Sequence, residues 1–458
     1  MPQGDRSGLA ARLLLSVLVF AAAFAIRVRG ITEHFWLLGD QVRDWGIALL
    51  PFSELPLVGP ATHVGGYTIG PAYYWLMWAL RLVIGPWFDN LPHAGGIGQA
   101  IVESAADAVL FAAVWHRTQS VWMGLAAATL IATAAYDVAL SAIVWTTVVA
   151  SAFGKVAMAA ILVGWHRQGV VRVVVIAALA WAAVHIYTGA VFVTVGVFAA
   201  LLVEPLVRRS RADVMKTAAA IAVVVAALQI PYVVYQLQRR FAEPAMGAVT
   251  DGVARILTGD APPEIAKSVS GYAAAFHFIQ VEPWRVPAAP WILLTLTLAA
   301  AIRYRRDPAL LMLLLVPQAT ALAGYALFLG ALDHYYYIPV IPVAVLAMVL
   351  AIAVPARSRG GHAIGAIVAV AAMAVVPARL EFAATLHRLP EYAVLVQASR
   401  HLASLPGPVR AIRTAFTLPP TTDPEFLYAI LGGRIDRTAA RVAVIGADGA
   451  VTFVPAAD

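Results

Sequence analysis

The chain has 458 residues, 61% hydrophobic and only 12% charged, with a net charge of +7 at pH 7 and no cysteine. Soluble domains carry roughly 25% charged residues, and a mean hydropathy of +0.80 leaves too little polar surface to cover a soluble protein of this length. A soluble globular enzyme is excluded, intrinsic disorder is excluded by the abundance of apolar and aromatic residues, and disulfides, thiolate metal sites and a cysteine nucleophile are excluded outright.

A polytopic membrane protein remains. Apolar runs of about 17–25 residues can cross the hydrocarbon core. They fall near 9–28, 97–115, 120–138, 148–165, 171–187, 188–204, 214–236, 287–303, 308–330, 334–353 and 361–378. The first is similar to a signal peptide, but no small-residue cleavage site follows Val28-Arg29-Gly30, so it reads as a retained span. The segment 71–86, PAYYWLMWALRLVIGP, is short, aromatic and bounded by prolines, the pattern of a helix lying in the interface.

Arginine placement sets the orientation. The compact basic connections are His116-Arg117, Arg167 to Arg172, Arg208-Arg209-Ser210-Arg211, Arg303 to Arg306 and Arg357 to Arg359. Placing all five in the cytoplasm demands an odd number of crossings between the loop 29–70 and Arg208. Five crossings satisfy this if 71–86 stays at the interface. The expectation is an all-α polytopic membrane protein of eleven spans, N-terminus inside and C-terminus outside. The membrane domain covers 1–378, with outer loops 29–96 and 237–286 carrying amphipathic helices. A small α/β appendage, 379–458, lies on the same outer side. There, 390–404 has helical spacing, 417–424 reads as a loop, and Arg441–Ile445 with Val451–Val454 reads as a hairpin.

The first outer loop is the most informative. It contains Gly39-Asp40-Gln41-Val42-Arg43-Asp44-Trp45-Gly46. On a helix, Asp40, Arg43 and Asp44 share one face, where they can hold a base, a phosphate contact and an orienting partner together. The same spacing also suits a self-neutralised surface helix. Further on, Gly59-Pro60, Thr62, Gly65-Gly66 and Gly70-Pro71-Ala72-Tyr73-Tyr74-Trp75-Leu76 allow close backbone approach to a ligand.

This order of span, DxxRD loop, GPxTxxGG and GPAYYWL resembles the GT-C glycosyltransferases. More narrowly it is similar to the family 39-like membrane transferases, relatives of the lipid A aminoarabinose transferase and the protein O-mannosyltransferases. Tyr136-Asp137, Trp145-Thr146-Thr147, Val184-His185-Ile186-Tyr187, Ile230 to Tyr235, Asp333 to Pro339 and Leu431 to Asp436 extend the resemblance over nearly the whole chain. Two positions depart from the pattern. Gly70 stands where aminoarabinose transferases carry lysine, and Thr146 replaces the Asn of Trp-Asn-Pro.

The resemblance implies an enzyme that takes a sugar from a polyprenyl-phosphate carrier. The sugar passes to a lipid, glycan or protein acceptor on the outer, periplasmic face of the bacterial inner membrane. No nucleotide sugar and no nucleic acid are involved. Asp40 matches the family's catalytic aspartate and is the expected general base of an inverting transfer. The departing phosphate needs cationic or hydrogen-bonding groups, for which Arg43, His334, Tyr335 and Arg285 are candidates. Asp44, His63, Tyr73, Asp137 and His185 complete the expected substrate- and phosphate-binding set. Asp137 and His185 are expected at outer helix ends.

No obligatory cofactor is expected. Asp40, Asp44 and Asp137 offer oxygen ligands for Mg²⁺ or Mn²⁺ as the alternative, though an arginine between carboxylates makes a dication less necessary. Lys155 lies about two turns inside its span, where an ionisable residue is functional by default or snorkels to the interface. The rival class is a transporter or lipid flippase, which would place charges deep in several spans. Lys155 reads as the one clear instance.

Overall fold

A computed structural model describes residues 3–62, 65–242, 247–275, 289–353, 359–386, 389–418 and 422–456. After α1 (Gln3–Val28), the first long connection carries α2 (Ile31–His34), α3 (Gly39–Ala48) and α4 (Ala72–Ile84). The bundle continues with α5 (Pro92–Thr118), α6 (Val121–Ala132), α7 (Ala135–Ser141), α8 (Thr146–Leu162), α9 (Val170–Ile186), α10 (Val191–Val207) and α11 (Arg211–Gln238). A second long connection forms α12 (Gly247–Leu257) and α13 (Ile265–Ala275). It is followed by α14 (Ala289–Arg303), α15 (Pro308–Ala326), α16 (Ile341–Ile352) and α17 (Arg359–Ala374). The tail comprises α18 (Val376–Ala384), α19 (Tyr392–Ser404), β1 (Ile412–Thr414), α20 (Pro424–Ile430), β2 (Arg441–Ile445) and β3 (Val451–Pro455).

Each apolar run expected to span contains an α-helix among the described residues, because a backbone removed from water must satisfy its own N–H and C=O groups. Six described helices are long and apolar enough to cross a membrane, and α6 with α7 makes a seventh if the pair, bent by 62°, is one span. Helices α8, α9, α14 and α16 are equally apolar but shorter. The chain is a multi-pass membrane protein.

Ion pairs gather the basic connections at one end of the bundle. Arg117 and Arg167 both reach Asp307, at 2.7 and 3.3 Å, while Arg167 and Arg208 both reach Glu204, at 2.9 and 2.6 Å. Arg303 donates to the Ala351 carbonyl at the end of α16. The opposite end carries the first long connection, the second one and the tail. Helix α4, at 13 residues, is about 20 Å long. It buries Tyr73, Tyr74 and Met77 and exposes Leu82 and Val83.

In the tail, β2 pairs with β1 in parallel and with β3 antiparallel, Val444 facing Thr452, which is the expected hairpin. The expected domain boundary at 378/379 falls inside α18. The tail docks on the first long connection. Tyr392 lies 5.1 Å from the Phe35 ring and its hydroxyl meets His93 Nδ1 at 3.1 Å. Arg400 pairs with Asp89, and the Thr422 hydroxyl donates to the Leu37 carbonyl. The part of the 417–424 loop at 419–421 lies outside the described residues.

Candidate functional site

A cavity of about 250 Å³ opens between the first long connection and the helix ends. Asp40, Arg43, Asp44 and Thr68 form one wall. Trp145, Thr146 and Thr147 form a second, and Tyr187, Tyr325, Tyr335 and Tyr336 a third.

Helix α3 is positioned by its amphipathic pattern. Gln41, Asp44, Trp45 and Ala48 are its buried residues, one helical face at i, i+3, i+4 and i+7, which leaves Asp40 and Arg43 toward the cavity. At its start the Leu38 N–H donates to Gln41 Oε1 at 2.8 Å, and the Gln41 amide donates to the Val144 carbonyl. The Trp45 indole donates to the Asn90 carbonyl at 2.7 Å. Its ring lies so close to Gly95 that a Cβ there would sit 2.5 Å away.

Arg43 joins the two carboxylates, with Nη1 at 2.8 Å from Asp40 Oδ1 and Nε at 2.8 Å from Asp44 Oδ1. The carboxylates differ in access. The Asp40 side chain is 48% exposed and that of Asp44 only 4%. Tyr74 donates its hydroxyl to Asp44 at 3.0 Å. Burial pushes the Asp44 carboxyl up to about 6, against the pull of Arg43 and Tyr74. Chemically, Asp40 is the carboxylate a ligand proton can reach, and Asp44 anchors the guanidinium that orients it.

The second wall hangs from two glutamines, Gln41 at the Val144 carbonyl and Gln99 on either side of it. The Gln99 amide donates to the Ile143 carbonyl at 2.6 Å, and its Oε1 accepts the Trp145 N–H at 3.0 Å. Trp145 stacks on Trp36 at 5.9 Å and meets the Tyr335 ring edge-on at 5.4 Å. In the third wall the Tyr325 hydroxyl donates to the Tyr336 carbonyl at 2.8 Å.

Of the residues expected in the site, Asp40, Arg43, Asp44 and Tyr335 line the cavity. Others need correction. Tyr73 is fully buried, and the tyrosine bonded to Asp44 is its neighbour Tyr74. His185, in the last turn of α9, is buried, its Nε2 meeting Gln229 Oε1 at 2.5 Å, because α11 packs against α9 and Gly70 covers the ring. His334 lies edge-on to Tyr136 at 5.4 Å and is absent from the cavity lining. His63 and Arg285 lie outside the described residues.

Asp137 departs furthest from expectation. Expected to bind substrate at an outer helix end, it is instead part of a buried ion cluster. Arg27 reaches Asp107 at 2.6 Å and Asp137 at 3.0 Å, and Lys155 reaches Glu103 at 2.6 Å, Asp107 at 2.9 Å and Asp137 at 3.4 Å. Arg379 joins from α18, donating to the Thr133 hydroxyl and the Leu130 carbonyl at the break between α6 and α7. Asp40, Asp44 and Asp137 therefore do not converge on one metal position. Among the described residues no group of three or more His, Asp or Glu is arranged to hold a metal ion.

Lys155 is thus not the lone deep charge that the sequence reading takes it for. Glu103 and Asp107, one turn apart inside an apolar run, are the legible signal, since paired carboxylates at that depth require cations. Gln41 and Gln99, which hang the second wall, carry no such signal.

Neither a protein-family profile nor a curated protein sequence matches the chain. Among solved structures it is similar to ArnT from Cupriavidus metallidurans in the apo state, with a TM-score of 0.54 and 15% identity over 94% of this chain and 86% of that one. ArnT bound to undecaprenyl phosphate matches with a TM-score of 0.53 and 15% identity over 92% and 85%. The archaeal oligosaccharyltransferase AglB from Archaeoglobus fulgidus, in complex with an inhibitory peptide and a dolichol-phosphate, gives 0.45 and 13% over 93% and 64%. The ArnT likeness shows the fold: nearly the whole chain adopts the same arrangement of helices as ArnT.

Proposed function

We propose that this chain is a glycosyltransferase that moves a sugar from a polyprenyl-phosphate donor to a lipid, glycan or protein acceptor on the outer face of the bacterial inner membrane. The observation that carries the reading is Asp40. It is a half-exposed carboxylate held by Arg43 in a cavity with an aromatic far wall, on the fold of an undecaprenyl-phosphate-binding protein. In the proposed step the acceptor hydroxyl attacks the anomeric carbon and its proton passes to Asp40. The bond from that carbon to the phosphate oxygen breaks, and the polyprenyl phosphate leaves. A single displacement inverts the anomeric centre. Arg43 offers the fixed positive charge that a departing phosphate requires, so transfer proceeds without an obligatory divalent cation and survives chelation.

Eleven crossings accommodate this site. In that reading α6 with α7 is one broken span, the four shorter apolar helices cross, and α4 lies in the interface. The basic connections then face the cytoplasm, and the cavity opens outside.

Purified protein given polyprenyl-phosphate sugars should release free polyprenyl phosphate and form a glycoside of inverted configuration, readable by NMR. Absence of sugar release with every polyprenyl-phosphate sugar offered would overturn the reading. The deep ion cluster is the feature a transporter would have. However, the next residues on that face of α5, Phe111 and Trp115, close it off on one side.

A further inference from the structure

Two polar stripes face each other inside the bundle. Gln99, Glu103 and Asp107 recur at every fourth position of α5, and Thr147, Ser151 and Lys155 do so on α8. None of the six is more than 1% exposed. At the deep end, Lys155 Nζ lies 2.6 Å from Glu103 and 2.9 Å from Asp107. Arg27 from α1, Asp137 from α7 and Arg379 from α18 face the same cluster. At the shallow end, Thr147 lines the cavity and Gln99 holds the Trp145 backbone.

Along these stripes Thr147 Oγ1, Ser151 Oγ and Glu103 Oε1 are buried and make no hydrogen bond to any described group, and the same holds for Ser104 Oγ, next to Glu103 on α5. A hydroxyl or carboxylate oxygen buried without a partner destabilises a fold, and such groups are ordinarily satisfied by internal water. The spacing fits water. Four residues of helix rise about 6 Å, and one water making two hydrogen bonds of about 2.8 Å spans nearly the same distance. One water per helical turn would connect Thr147 to Ser151, and Ser151 to the Lys155–Glu103 pair.

The stripes end at the ion cluster. Continued by the same interval, α5 presents Phe111 and Trp115, whose rings lie 5.7 Å apart, and α8 presents Ala159, with Val163 just past its end. No polar side chain continues either series.

We propose that the seam between α5 and α8 binds a file of internal waters, open to the cavity and closed beyond Lys155, through which the buried carboxylates exchange protons with the cavity alone. The arrangement lets ions sit deep in the bundle without a proton leak across it. It does not depend on the glycosyltransferase reading.

The absence of native cysteine makes single cysteines direct reporters of water access. Silver ion is the probe, small enough for a file of waters and reactive toward thiolates, which form only where water reaches them. The readout is protection from maleimide labelling after denaturation, with protein in lipid nanodiscs. Ser151→Cys and Ser104→Cys should react within about tenfold of the cavity reference Thr147→Cys, and on the order of a hundredfold faster than Ala159→Cys. Adding Thr147→Leu to Ser151→Cys should slow its reaction. If Ser151→Cys and Ser104→Cys are as slow as Ala159→Cys, the seam is dry and the proposal fails. Should the cysteine variants not fold, Ser151→Ala decides by the sign of its effect on the melting temperature. Removing a hydrated hydroxyl lowers it, whereas removing a dry, unpaired one raises it and overturns the proposal.

Discussion

Gly70 lies so close to the His185 imidazole that a Cβ at position 70 would sit 2.0 Å from Nδ1 and 2.4 Å from Cε1. The first long connection is thereby locked onto the end of α9, while the other ring nitrogen of His185 is held by Gln229 of α11. This contact gives a physical reason for the glycine at the position where the similar transferases carry lysine. No side chain fits there while the imidazole keeps its place, and among the described residues that line the cavity Arg43 is the cation.

Gly70→Ala should therefore destabilise the protein by about 1–3 kcal/mol, the usual cost of overpacking. The double variant Gly70→Ala/His185→Ala should recover part of that loss. Thermal unfolding of the two singles and the double measures it, and additive losses would show that the contact does not constrain position 70.

Asp40→Asn should lower turnover by about 10²–10⁴-fold, the range of a positioned general base, while donor binding persists. Asn keeps the shape and one acceptor oxygen but cannot take a proton. Asp44→Asn should cost less, since Asp44 acts through Arg43. Near-normal turnover in Asp40→Asn beside an inactive Asp44→Asn would reverse the two roles.

The acid limb of the pH profile should lie near 6. Asp44 is raised by burial to about 6 from its usual 3.8, so as pH falls through 6 it protonates and releases Arg43 from one of its two carboxylates. Transfer should decline there, and the limb should vanish in Asp44→Asn. Stability runs the opposite way. A carboxyl whose folded-state value is raised favours the fold most below its unfolded value, and that contribution is lost as pH rises through about 6.

Lys155→Ala should be among the most damaging single changes, because it leaves buried carboxylates without a cation, at a cost of about 3–5 kcal/mol. Lys155→Met combined with Glu103→Gln should be better tolerated, since charge is removed from both sides. Yield and melting temperature in detergent compare the two. Equal tolerance of Lys155→Ala would mean that the cluster does not hold the break between α6 and α7.

Cysteines introduced as Gly85→Cys and Ala450→Cys should both react with an impermeant reagent applied to the outer face. The expectation follows from the ion-paired basic connections gathered at the opposite end of the bundle. Labelling of Gly85→Cys only after lysis would mean that 71–86 crosses the membrane.

Hydropathy alone determined that this is a membrane bundle and where its helices run, because a backbone in lipid has few alternatives to the helix. Alternation and turn residues were equally sufficient for the hairpin in the tail. The Asp40–Arg43–Asp44 triplet was legible too, since its geometry is local, three residues on one turn. Whatever depended on which helices meet was decided only by the tertiary structure. Asp137 reads as a ligand-binding carboxylate at an outer helix end, yet it neutralises Arg27 and Lys155, which are 110 and 18 residues away. Gln99 reads as an ordinary polar residue in an apolar run, yet it holds the backbone of Trp145, 46 residues on. The difference between Asp40 and Asp44 is of the same kind. The two carboxylates are chemically identical and one helical turn apart, and only the packing of Tyr74 and α5 against α3 decides which is almost fully buried in the cavity wall and which stays half exposed.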